Sequence, residues 1–224
     1  MEEKRTKNIE FTDKLKISRI EALSDGVFAI AMTLMVLSLK FPDQFPSNPT
    51  HQELINGLLE SLPALEKYFI SFLVLGIYWM RHQAQFTFIQ FATRGLLYIN
   101  IIFLLFVALI PATTAFLMTY NSNQIPLQLY LINNLLISLV LIWHWHYITK
   151  INPNLIVKEL TPDLIRKGFY MNLVACLLFV VSIIISFWNL RMSISVLYIM
   201  PILFPFYRFV EKKRMKENYK NLHT

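Results

Sequence analysis

A single cysteine, Cys176, in 224 residues excludes an intrachain disulfide framework and a cysteine zinc site. Its neighbours are apolar, which keeps a thiol protonated and unreactive, so it reads as a small core residue rather than a redox centre. Charge is scarce too: Asp, Glu, Lys and Arg together make up 16% of the chain, against 55% hydrophobic residues and 14% aromatics. At a mean hydropathy of +0.47 the chain is too apolar for an ordinary soluble domain. The first 17 residues lack the apolar run that a signal peptide carries directly after its basic start, so the first helix is expected to stay as an anchor. An internal repeat is also missing, whereas many transporters consist of two related halves. The nearest echo of Arg19–Asp25 is Arg166–Asn172, which has neither the serine nor the aspartate.

What the chain has instead is a series of apolar runs near twenty residues long. They predict an all-α integral membrane protein, a single domain over residues 1–224, with spans at about 18–40, 65–86, 96–118, 127–148, 168–188 and 192–210. The net charge of +7 is explained by orientation and calls for no nucleic-acid partner. Placing the N-terminus inside puts every basic residue on the inner side except Lys40, Lys67 and Arg191. This bias predicts a multi-pass protein of the cell membrane with both termini in the cytoplasm. The basic terminal segments are expected to meet anionic lipid headgroups. The Pro42–Ala64 connection reads as an outer loop with a weakly amphipathic stretch lying at the interface, and its acidic residues would gather cations near an outer mouth.

The first apolar run begins with Arg19, Glu21, Ser24 and Asp25. An ionised side chain entering hydrocarbon costs about 2.5–3.5 kcal/mol, so these groups should face protein or water. On a helix turning 100° per residue, Ile30, Thr33 and Leu37 share one narrow face, which Gly26, Leu23 and Arg19 continue toward the cytoplasm. Repeated about a symmetry axis, Ile30 would form a dry constriction that gates by dewetting, with Thr33 hydroxyls offering oxygen ligands beyond it. The same periodicity also suits plain helix packing, which is the commoner cause of such a stripe.

Arg19 and Asp25 are about 240° and roughly 9 Å apart on one helix, so each needs a partner elsewhere. Trp79 and His82 on the second span and Asn100 on the third are the candidates, and a network joining Asp25, Ser24 and His82 would satisfy all three. In the WHWHY stretch, His144 and His146 are the residues a metal-dependent enzyme would use, with Glu159 or Asp163 nearby. Two residues apart lie about 200° around a helix, so these histidines cannot hold one metal from one face. Trp143, Trp145 and Tyr147 read as an interfacial aromatic belt.

The segment Arg19-x-x-x-Leu23-Ser24-Asp25 resembles the R-x-x-x-F-S-D signature of the transmembrane protein 175 family of potassium channels, with Leu23 where the family usually has phenylalanine. Tyr78-Trp79-x-x-His82 and the Asn100 to Pro111-Ala112-Thr113 helix look like the family's as well, and the six-span length is that of its bacterial members. The resemblance implies a homotetramer in which each first helix lines a central cation pathway. It implies a hydrophobic gate at Ile30, a selectivity layer at Thr33 and a further apolar ring at Leu37. Arg19, Ser24, Asp25, Trp79, His82 and Asn100 then form the interhelical network. The implied activity is leak-type conduction of potassium with modest preference over sodium, with membrane lipids and the permeating ion as partners and no cofactor. The chain has no TVGYG-type filter and no arginine-rich voltage sensor, so selectivity would have to come from side chains. The rival reading is a secondary transporter coupling cations or protons through Asp25, against which the missing repeat speaks.

Overall fold

In hydrocarbon every backbone N–H and C=O must find its partner within the segment, and a run of apolar residues can do so only as a helix. The computed structural model describes residues 16–39, 47–120, 122–156 and 160–202. They form α1 (Ile17–Leu37), α2 (His51–Phe86), α3 (Arg94–Thr119), α4 (Gln124–His146), α5 (Pro162–Ser186) and α6 (Leu190–Leu197). A π turn at Tyr147–Ile151 and a short 3-10 turn at Pro153–Leu155 follow α4. After a turn at Tyr198 the chain is helical again to Ile202.

Short polar residues open five of these helices. The side-chain oxygens of Thr50, Thr93, Asn123, Thr161 and Asn189 each accept an N–H of the first turn, satisfying donors that a helix start leaves orphaned. At α2 this becomes a full capping box, in which Glu53 also receives the Thr50 N–H at 2.7 Å. Only α1 begins without a side-chain cap, at Lys16.

Among the described residues, four helical stretches are long and apolar enough to cross a membrane: Ile17–Leu37, Arg94–Thr119, Gln124–Ile151 and Pro162–Ser186. The chain is a multi-pass membrane protein. The expected spans at 18–40, 96–118, 127–148 and 168–188 coincide with these to within a few residues. Two expectations change. The Pro42–Ala64 connection is helical from His51 onward, and α2 runs 36 residues through Pro63 without a break. At 1.5 Å per residue it is ~54 Å long, against a hydrocarbon core of ~30 Å. The expected sixth span, 192–210, is a short helix and a turn as far as Ile202, and its residues 203–210 lie outside the described residues, as do the basic terminal segments.

α1 packs on α2 and α3, α4 lies between α3 and α5, and α5 folds back onto α6. Phe28, Met35, Val74, Tyr78, Phe103, Tyr130 and Phe179 fill the core between them. A second cluster at the other end gathers Ile20, Phe86, Leu96, Trp145 and Leu155, where Gln90 N–H donates to the Leu155 carbonyl at 2.8 Å. Trp145 therefore is not part of an interfacial belt. It is buried, and its Nε1–H donates to the Ile165 carbonyl at 2.9 Å. Gly168 makes room for it, since a Cβ there would lie 2.6 Å from the indole ring.

Candidate functional site

α1 has two faces of opposite character. Ile20, Ser24, Phe28, Ala31 and Met35, spaced by four and three, are buried against α2 and α3. About 140° around the helix lies the stripe read from the sequence. There Leu23, Ile30 and Leu37 are 51%, 60% and 76% exposed, and Arg19, Gly26 and Thr33 are exposed with them. An added Cβ at Gly26 would meet nothing within 4 Å. The protein thus spends one face of α1 on its own core and leaves the Ile30–Thr33–Leu37 face exposed among the described residues.

Thr33 sits on that bare face with its hydroxyl turned to its own helix, donating to the carbonyls of Ile30 at 2.9 Å and Ala29 at 3.0 Å. A hydroxyl has one hydrogen and two lone pairs. With the hydrogen committed to the backbone, the oxygen presents its acceptor side outward.

The buried face is pinned by a polar triad. His82 Nε2 lies 2.8 Å from Asn100 Oδ1, and an amide oxygen only accepts, so Nε2 carries the proton. Asn100 Nδ2 donates to Ser24 Oγ at 3.2 Å, and Ser24 in turn donates to the Ile20 carbonyl at 2.8 Å. Ser24, His82 and Asn100 are all buried, so one residue from each of α1, α2 and α3 is locked in a low-dielectric setting. The His82 ring is stacked between Phe103 at 5.0 Å and Phe86 at 4.3 Å. Beyond Phe86, His144 Nδ1 bonds Gln85 Oε1, extending polar contact from α2 to α4.

Asp25 does not join this triad as expected. It sits on another flank of α1, where its Oδ1 accepts from Trp79 Nε1 at 2.8 Å and from Gln83 Nε2 at 2.6 Å. The reason is angular: Asp25 follows Ser24 by one residue, and 100° of rotation carries it off the buried face. The network therefore divides into Ser24–Asn100–His82 inside and Asp25–Trp79–Gln83 at the surface. Arg19 is exposed and bonds neither group, and it has no partner among the described residues. Gln83 was not singled out in the sequence. Its signal was there, since it lies one helical turn after Trp79 on the same face. His144 is buried and His146 exposed, on opposite sides of α4. Among the described residues no three His, Cys, Asp or Glu side chains are grouped to hold a metal ion.

Residues 19–111 match the family model of the endosomal/lysosomal potassium channel TMEM175. A protein of Streptomyces collinus named as a potassium channel is 40% identical over 103 residues, covering 46% of this chain and 48% of that one. The endosomal/lysosomal proton channel TMEM175 of Gallus gallus is 35% identical over 104 residues, covering 45% of this chain and 21% of its own. The match covers at most about half the length of these relatives. A crystal structure of a lysosomal potassium-selective channel TMEM175 homolog from Chamaesiphon minutus superposes with a TM-score of 0.71 at 25% identity, covering 85% of this chain and 96% of the other. The matched stretch, residues 19–111, includes nearly all of α1 and the residues that anchor it, Trp79, His82, Gln83 and Asn100.

Proposed function

We propose that this relative of the TMEM175 channels is itself a potassium-permeable, leak-type channel of the cell membrane. Six-helix subunits with cytoplasmic termini assemble as a homotetramer, and α1 of each subunit lines a central pathway. Ile30 forms a hydrophobic constriction that closes by dewetting, Leu37 forms a second apolar ring, and Thr33 between them offers oxygen ligands to a partly dehydrated cation. Ser24, Asp25, Trp79, His82 and Asn100 act indirectly, by fixing the tilt and rotation of α1, while Arg19 continues the exposed stripe toward the cytoplasm.

The observation that carries this reading is the bare face of α1. A helix anchored on one side by a buried triad, with a threonine between exposed Ile30 and Leu37 on the other, is built to meet copies of itself around an axis. Four isoleucines cannot replace a hydration shell, so preference for potassium over sodium is modest. Potassium efflux from liposomes holding the purified protein tests the reading. Efflux that runs down the potassium gradient and is indifferent to an imposed proton gradient supports a channel. Efflux obligatorily coupled to proton uptake would replace it with the transporter.

A further inference from the structure

α2 reaches further than the helices beside it. Counted from the Ser24–Asn100–His82 triad, α1 ends thirteen residues on at Leu37, level with Phe69, and α3 ends nineteen residues on at Thr119, level with Pro63. The twelve residues of α2 before Pro63 therefore run on for ~18 Å beyond the end of α3. The adjacent charges Glu66 and Lys67 mark the edge of the hydrocarbon: Lys67 is buried along its stem, and its ammonium reaches back to the Pro63 carbonyl at 2.9 Å, away from the membrane centre. Residues 51–62 thus stand outside the apolar layer. Yet Leu54, Ile55, Leu58, Leu59 and Leu62 are 38–57% exposed there.

Ile55, Leu58, Leu62, Leu65, Phe69 and Phe72 alternate steps of three and four, the spacing of a coiled-coil seam, and each of them is exposed or half-buried. Glu53 and Glu60 fall on the opposite side of the helix, so the seam itself carries no charge. A contiguous apolar strip in water marks a protein contact. This one is ~18 Å long and roughly 10 Å wide, on the order of 200 Å², whereas a stable complex of free partners covers about 800 Å² on each. It is too small to capture a free partner and suits a copy already held alongside. We propose that the first twelve residues of α2 stand clear of the membrane and meet the same face of neighbouring copies, Ile55, Leu58 and Leu62 forming an uncharged collar about the assembly axis. The collar turns Glu53 and Glu60 outward and closes the axis above the membrane, so permeating ions pass between the subunits beneath it. The inference rests on the assembly of copies proposed above.

The test uses the full chain in liposomes with Cys176→Ala, so that an introduced cysteine is the only one. A short bismaleimide should link most of the Leu58→Cys protein into pairs of twice the monomer mass on a denaturing gel. Glu60→Cys, on the opposite side of the helix, should stay monomeric there. Native mass spectrometry of the unlinked protein reads the number of copies separately. A multimer in which Leu58→Cys does not link would overturn the collar and leave the channel assembly standing, whereas a monomer would overturn both. Equal linkage at the two positions would also contradict the collar, because it marks random collision. Charge gives a second reading: Leu58→Lys brings like charges together in the seam and should lower the temperature at which the multimer dissociates, while Glu60→Lys leaves it unchanged. Equal shifts in the two variants would count against the contact.

Discussion

Ile30 and Thr33 are three residues apart on the exposed face of one helix, and in the proposed pathway the first would exclude water while the second offers an oxygen to it. Replacing Ile30 by Asn puts an amide where four apolar side chains would meet, and conductance should rise. Replacing Thr33 by Ala removes the only hydroxyl on the stripe, so the ratio of potassium to sodium permeability, read from reversal potentials, should fall toward one while conduction persists. On the buried face, Asn100→Leu leaves the His82 Nε2–H and Ser24 without their partner and should cost about 1–3 kcal/mol. Ser24→Ala should cost less, because the Ser24 hydroxyl donates to its own helix carbonyl. Thermal unfolding of the detergent-solubilised protein ranks the two. Most of this was legible in the sequence: charged and polar residues opening an apolar run demand partners, and Trp79, His82 and Asn100 were the partners available. The division into two networks was not, because a one-residue offset on α1 sends Ser24 and Asp25 to different neighbours, and only packed coordinates show which.

The helices carry their own signatures. α2 begins in a capping box, and Thr50→Ala should cost about 1 kcal/mol in the local stability of its first turn. Hydrogen exchange at Glu53 and the amides beside it would report the loss. The two Thr50 hydrogen bonds hold the Glu53 carboxyl below its usual range. At the start of α5, Asp163 pairs with Lys167 at 2.8 Å and Arg166 at 3.0 Å. A carboxylate whose pKa is depressed on folding stabilises the fold above its unfolded value, near 4, and loses that contribution as pH falls through the folded value. The start of α2 should therefore fray as pH falls below the ordinary carboxylate range, before the buried core responds, as amide exchange at that end would show. The length of α2 was the element the sequence hid. Pro63 and the polar residues after Pro42 signal a loop, and Thr50 with Glu53 three residues later was the counter-signal that a helix starts there.

At the scale of the molecule, the pattern of exposure is what a subunit of a larger assembly shows. Leu23, Ile30 and Leu37 lie bare on α1, and the α1 face opposite them is fully used. Lipid could cover such a stripe, but lipid gives no reason to place a threonine and a glycine in it or to anchor the helix through three buried polar residues. Positive charges and hydropathy made the membrane class plain from the sequence. How many subunits meet, and about which axis, lies outside what one chain's pattern encodes. Single-channel recording in planar bilayers under a potassium-against-sodium gradient, for wild type and Ile30→Asn, tests the central claim most directly. Discrete openings that reverse toward the potassium equilibrium potential, with larger unitary current in Ile30→Asn, are predicted. Openings whose amplitude is unchanged by Ile30→Asn would place the ion path elsewhere and return the α1 stripe to packing.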